Sequence, residues 1–263
     1  MLLTTLKQII LTILPFTMHK SLRIIVTVFL LTSFTTARAK VYLVSVGITD
    51  YPGTSMDLTL PANDAETISW IYSKNTNVVK ELLLNEQATL QNVISSMRRT
   101  FAQAGTDDIV VLFFSGHGYP GGFVAYDGQL TYSQVRKAMA TSKCKSKMIF
   151  ADACFSGKIR TNGNSSQSSV QAAKKASVML FLSSRSNETS IERRGMQNGF
   201  FTTYLQKGLR GGADTNKDRV ITAKELYQFV HKGVIEISND RQHPVMWGKF
   251  NDDMPVMTWL KKK

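Results

Sequence analysis

Two short stretches carry the residue types of nucleophilic catalysis. "SGHG" (115–118) sets His117 between glycines, and "DACFSG" (152–157) sets Cys154 two residues after Asp152. Each follows an apolar run, "VVLFF" (110–114) before the first and "MIFA" (148–151) before the second. Apolar runs that stop at glycine turns read as buried strands. In open parallel sheets, ligands collect beyond the carboxyl ends of the strands. Neighbouring strand ends lie about 4.8 Å apart, so on adjacent strands an imidazole can take the thiol proton and return it to a leaving amine. Gly116, Gly118 and Gly157 permit tight turns and leave backbone N–H groups to face a developing oxyanion. A single histidine or cysteine is commonly a packing residue; the pairing at equivalent strand ends is what points to chemistry.

Asp152 sharpens the reading. On an extended strand its side chain points to the same side as Cys154. A carboxylate there disfavours the thiolate, so it needs a compensating use. Binding a cationic substrate side chain is one; a hydrogen-bonding role at the strand end is the other. The only other cysteine, Cys144, precedes Cys154 by ten residues. An extended segment would hold the two near 30 Å apart, beyond disulfide reach, which predicts a free thiol at Cys154.

Strands are expected at "KVYLVSVGI" (40–48), "VKELLL" (79–84), "DDIVVLFFSGHG" (107–118), "KSKMIFADACFSG" (145–157) and "ASVMLFLSS" (176–184). Helical spacing marks "NDAETISWIYSK" (63–74), with Asn63 and Asp64 as cap candidates, "TLQNVISSMRRTFAQAG" (89–105) closing on Gly105, and "TYSQVRKAMAT" (131–141). Further helices are expected at about 199–210 and 222–237. Strands that alternate with helices and are apolar on both faces predict an α/β fold with a mostly parallel sheet covered on both sides. "IRTNGNSSQSSVQAAKKAS" (159–177) reads as a mobile loop interrupting one domain.

The first 39 residues stand apart. From Met18 the chain shows a basic start (Lys20, Arg23), an apolar run from Ile24 to Phe34, and Ala37-Arg38-Ala39. That is the layout of a signal peptide cleaved after Ala39, and the run is too short to span a bilayer. The expectation is a periplasmic or secreted protein without a stable membrane anchor. The apolar stretch before Met18 leaves two readings, a true start at Met18 or an anchor built from both runs. The formal charge is +13; residues 1–39 hold Lys7, Lys20, Arg23 and Arg38 and no acid, so cleavage lowers it to +9. The basic residues are scattered and no nucleic-acid motif accompanies them, so no nucleic-acid partner is expected.

"SGHG" and "DACFSG", in that order, resemble the histidine and nucleophile motifs of the caspase and metacaspase-like cysteine peptidases. "PANDAE" (61–66), "LSSRSNETS" (182–190), "GFFTTYLQKGLRGGAD" (199–214) and "QHPVMWG" (242–248) extend the similarity over most of residues 40–255. The resemblance implies a three-layer α-β-α sandwich and thiol protease activity. His117 would act as acid and base, Cys154 as nucleophile, and the N–H groups of Gly118 and Cys154 as the oxyanion hole. In metacaspase-like enzymes, aspartates matching Asp64 and Asp152, with a serine matching Ser115, hold an Arg or Lys before the scissile bond. Protein or peptide substrates with basic residues are the expected partners. Arg160, Lys174 and Lys175 in the 159–177 loop make self-processing a matching hypothesis, with a plain flexible insertion beside it. For Asp64 taken alone, a helix N-cap is the competing role.

"DTNKDRVITAKE" (214–225) places Asp214, Asn216, Asp218, Thr222 and Glu225 at EF-hand-like calcium positions, but Arg219 stands where that loop needs glycine. A polar turn and helix cap is the alternative. Many metacaspases bind calcium through acids after the histidine motif, where this chain has only Asp127. No metal ligand set is therefore assigned, and the His/Cys chemistry requires no cofactor. A catalytically silent binding module on the same scaffold is the competing function; an intact His117 and Cys154 argue against it.

Overall fold

The computed structural model describes residues 39–75, 77–119, 121–153, 178–184 and 195–259. Residues 1–38 of the expected signal peptide, Cys154, Gly157 and the 159–177 loop lie outside these residues. In chain order the strands are β1 (Val41–Gly47), β2 (Val78–Leu84), β3 (Ile109–Gly116), β4 (Gly118–Tyr119), β5 (Gly122–Ala125) and β6 (Gly128–Thr131). They continue as β7 (Ser146–Ala153), β8 (Val178–Leu182), β9 (Val220–Thr222), β10 (Val245–Trp247) and β11 (Pro255–Thr258). The α-helices are α1 (Pro61–Asn75), α2 (Leu90–Phe101), α3 (Tyr132–Met139), α4 (Phe200–Lys207) and α5 (Ala223–Ser238).

Six strands form the central sheet in the order β10-β8-β7-β3-β1-β2. β2, β1, β3, β7 and β8 run parallel, and β10 is antiparallel to β8. The strand period of two divides the side chains between two cores. Val41, Leu43, Ile109, Val111, Phe113, Met148 and Phe150 pack with α1, α4 and α5. Tyr42, Val44, Val110, Leu112, Phe114, Ile149 and Ala151 pack with α2 and α3. This is the expected mostly parallel, three-layer α-β-α arrangement. β1, β3 and β8 are buried along their whole length, as apolar strands covered on both faces must be. Rings dominate the α4 side: Phe181 meets Phe201 edge-on at 5.0 Å and 83°. Burying each such side chain is worth about 1.5–3 kcal/mol.

Local signals set most helix starts. Thr89 accepts the Asn92 N–H at 3.2 Å, and Thr131/Gln134 and Thr222/Glu225 are reciprocal capping boxes. Two expectations fail. α1 begins at Pro61, ahead of Asn63 and Asp64, with Thr49 Oγ1 accepting the Ala62 N–H at 2.9 Å. Proline suits the first turn because no intrahelical partner waits for its missing N–H, and Asp64 is thereby moved inside the helix. α2 ends at Phe101 rather than Gly105, because Asp108 captures the Gly105 N–H at 2.8 Å and the Lys40 N–H at 2.8 Å and turns the chain toward β3. Two small antiparallel sheets, β4-β5-β6 and β9-β11, were not anticipated. Asp127, beside the first of them, accepts the Leu90 N–H at 2.7 Å at the start of α2. Cys144 is a buried free thiol at the amino end of β7. Among the described residues no helix is long and apolar enough to cross a membrane.

Candidate active site

The two motif-bearing strands are neighbours. β3 pairs with β7 in parallel register, from Ile109↔Ser146 to Ser115↔Asp152 and Gly116↔Ala153. His117 and Cys154 are the next residues of the two chains beyond that last pair.

The chain leaves β3 through Gly116, at φ 152°, where a Cβ would lie 2.7 Å from the Tyr51 hydroxyl. That hydroxyl accepts the His117 backbone N–H at 3.0 Å and donates to the Val124 carbonyl at 3.1 Å. Burial pushes the Tyr51 phenol up to about 12, so it stays protonated and keeps donating. The Tyr51 ring also packs on the imidazole, with centroids 5.0 Å apart at 47°. His117 Nε2 lies 2.7 Å from the Met56 carbonyl oxygen. A carbonyl only accepts, so Nε2 carries the ring proton and Nδ1 is the basic nitrogen. Met56 belongs to the 3₁₀ turn Thr54–Met56, in the loop after β1.

Gly118 opens β4 opposite Phe123. The Val124 N–H bond to the His117 carbonyl, 2.9 Å, makes that pair a non-hydrogen-bonded rung. The Gly118 N–H is therefore directed away from β5.

The three expected pocket residues meet on the α1/α4/α5 face. Asp64, from the first turn of α1, is 2% exposed, Ser115 2% and Asp152 7%. Ser115 Oγ donates to Asp64 Oδ2 at 2.8 Å. Asp64 Oδ1 accepts from Asn198 Nδ2 at 2.8 Å and from the Gly199 N–H at 3.2 Å. Asp152 Oδ2 accepts both the Thr202 N–H at 3.1 Å and Thr202 Oγ1 at 2.9 Å. Gly199, the residue before α4, has no side chain to cap the helix, so a carboxylate from β7 does so. A Cβ at Gly199 would lie 2.6 Å from Asp152 Oδ2. Burial, then the charge of Asp152, pushes the Asp64 carboxyl well above its usual range, against hydrogen bonds from Asn198, Ser115 and Gly199. The N-cap alternative for Asp64 is thereby corrected: it ties α1 to β3 and to the entrance of α4. The strand-end hydrogen-bonding role of Asp152 is present.

The sequence matches the caspase domain family model over residues 41–254. The chain belongs to the caspase domain family. The crystal structure of a Geobacter sulfurreducens protein is similar to it, with 18% identity and a TM-score of 0.61, covering 84% of this chain and 100% of that one. That likeness speaks to the fold. No protein of curated function matches.

Within this caspase domain, Tyr51, Met56, Asn198, Gly199 and Thr202 escaped the sequence reading. Tyr51 lies just beyond the carboxyl end of β1, the side of the sheet on which ligands collect, and that position was the available signal. Asn198, Gly199 and Thr202 fall in or beside a stretch read as a helix and as part of the family resemblance, with no site role given to its residues.

The 214–225 loop takes its left-handed turns at Lys217 (φ 60°) and Arg219 (φ 70°) without glycine. Its side chains serve the loop itself. Asp214 accepts the Arg219 N–H, Asn216 the Asp218 N–H, and Asp218 the Val220 N–H. Both Glu225 oxygens are engaged, one by Thr215 and the other by Thr222. Among the described residues no group of three or more His, Cys, Asp or Glu is placed to hold a metal. No step below runs through a calcium ion.

Proposed function

We propose that this caspase domain is a cysteine endopeptidase that cleaves peptide bonds after Arg or Lys. The observation that carries the reading is the β3–β7 register, whose last rung, Gly116↔Ala153, leads directly into His117 and Cys154.

In this mechanism His117 Nδ1 removes the thiol proton while the Met56 carbonyl holds Nε2–H and the ring orientation. The Cys154 sulfur attacks the substrate carbonyl carbon. The oxygen gains the negative charge and is met by the N–H groups of Gly118 and Cys154. His117 returns its proton to the departing amine, leaving a thioester. Water, deprotonated by the same imidazole, then hydrolyses the thioester and restores the thiol.

The substrate's basic side chain binds against Asp64 and Asp152. Two buried carboxylates, one close enough to raise the proton affinity of the other, gain most from a cation between them. Ser115 holds Asp64 in place for it. The signal-like layout of residues 18–39 supports export to the periplasm or beyond, and the basic residues of 159–177 support self-processing.

The test is turnover of peptides ending in Arg, Lys or Asp before a reporter amide. Cleavage of the Arg and Lys peptides, abolished in both Cys154→Ala and His117→Ala, supports the reading. Equal or better turnover of the Asp peptide overturns the specificity. No turnover by folded wild-type protein leaves the silent binding module as the function.

A further inference from the structure

The amino end of β7 opens on a cavity of about 740 Å³, within the size range of pockets that hold small molecules. Ser146 begins β7 and lines the cavity, whereas Asp152 lies six residues further along the strand. At about 3.3 Å per residue the cavity is roughly 20 Å from the candidate active site. Its other wall comes from the segment that joins β10 to β11.

The lining divides by chemistry. Cys144 and Met254 are buried and Phe250 and Pro255 half-buried, and together they form an apolar floor. Lys145 and Lys249 are exposed at the edge, and Lys147 is half-buried. Lys147 Nζ donates to the Ser142 carbonyl at 2.8 Å, which uses one of its three protons. Asp253 is the acid of the lining, so three lysines stand against one carboxylate. Among the described residues no carboxylate forms an ion pair with any of the three. Unpaired cations around an apolar concavity focus positive potential there, which favours an anionic group, while the floor favours an apolar body.

Charge disfavours the occupants nearest to hand. Residues 1–38 and 154–177 each hold four basic residues and no acid, 185–194 three arginines against two glutamates, and 260–263 three lysines. None of these segments complements a basic cavity. A second copy of the chain brings the same positive excess, +13 in all.

We propose that this cavity binds a small organic anion, an aromatic or aliphatic body carrying one carboxylate, sulfonate or phosphate. Lys145 and Lys249 hold the charged group, and Phe250, Met254 and Pro255 hold the body. The site shares no residue with the peptidase machinery, so the inference stands whether or not the chain cleaves peptides.

The probe is 8-anilinonaphthalene-1-sulfonate, titrated into the folded protein and followed by its fluorescence. The comparison is N-phenyl-1-naphthylamine, the same body without the sulfonate. One saturable site is expected, binding the sulfonate about fivefold or more tightly than the neutral compound. Lys145→Gln and Lys249→Gln should each weaken the sulfonate by about two- to fivefold, and the double charge reversal Lys145→Glu/Lys249→Glu by about tenfold or more. Lys80→Glu, on β2 at the far edge of the sheet, should stay within about twofold of wild type. Thermal unfolding of each variant confirms that exposed lysines were changed without loss of the fold. Saturating sulfonate should also shield Lys145 and Lys249 from acetylation, read by peptide mass mapping. Absence of saturable binding overturns the proposal, as does equal affinity in the wild type and the double variant. An equal loss in Lys80→Glu, or unchanged acetylation of both lysines, overturns it as well.

Discussion

Thr202 donates both its backbone N–H and its hydroxyl to one carboxylate oxygen of Asp152, at 3.1 and 2.9 Å. A β7 side chain thereby caps α4 across fifty residues of sequence. The contact exists because position 199 has no Cβ to block it. Gly199→Ala is therefore expected to push the carboxylate aside, raising KM for Arg and Lys peptides about tenfold or more, on the scale of one lost charge-assisted hydrogen bond. Steady-state kinetics of the purified variant check this; an unchanged KM would show that Asp152 does not meet substrate.

Charge removal at the pocket separates its two acids. Asp64→Asn and Asp152→Asn should each reduce kcat/KM on basic peptides by about 2–5 kcal/mol of lost interaction. Turnover of a peptide with a neutral residue before the scissile bond should change little by comparison. A parallel fall on both substrates would mean that the carboxylates serve the fold alone.

The pH dependence has a definite sign. Asp64 is raised in the folded protein by burial and by Asp152, so it releases its proton less readily there than in the unfolded chain. Its contribution to stability is full below the ordinary aspartate value and is lost as pH rises toward the raised one. Urea unfolding should show Asp64→Asn gaining on the wild type as pH increases from about 4 toward 7. Activity on basic peptides should rise over the same window as the pocket gains charge. A pH-independent difference between the two proteins would contradict the coupling.

Tyr51 and Gly116 should behave as one unit. Tyr51→Phe removes the acceptor of the His117 N–H and the donor to Val124, costing about 1 kcal/mol per hydrogen bond in stability. Gly116→Ala sets a methyl 2.7 Å from the same hydroxyl and should cost more. The double variant should lose less than the two single losses added together, because removing the hydroxyl makes room for the methyl. Thermal unfolding of the four proteins provides the cycle; strict additivity would refute the contact.

The two thiols should differ in reactivity. Burial is the first cause pushing the Cys144 thiol up, and its Sγ lies 3.4 Å from the Ser146 carbonyl. Native protein treated briefly with iodoacetamide near neutral pH should carry label at Cys154 and not at Cys144. Peptide mass mapping reads this directly. The same mapping of wild type against Cys154→Ala tests cleavage within residues 159–177; a nick that persists in the variant excludes self-processing.

Much of the fold was legible because its determinants are local. Apolar runs such as 109–114 and 148–151, short and followed by glycine turns, read as buried strands, and their alternation with amphipathic helices points to covered parallel pairing. Thr89, Thr131 and Thr222 announce helix starts within four residues of their partners. The failures came where distant groups override local signals. Asp64 resembles a cap in sequence, but Ser115, Asn198 and Gly199 claim it from 51 to 135 residues away. Gly105 resembles a helix stop, but Asp108 intercepts its N–H.

By itself the sequence determined that an imidazole and a thiol each follow a buried strand, and that a carboxylate precedes the thiol by one alternation. These are properties of residue type and period, which need no partner. Only the tertiary structure decided that β3 and β7 are adjacent with Gly116 opposite Ala153, that Met56 holds Nε2, and that the Ser183 hydroxyl accepts the Ala153 N–H at the end of β7. Such contacts join segments 30 to more than 60 residues apart. Their register depends on how the whole sheet packs, and no local pattern encodes it.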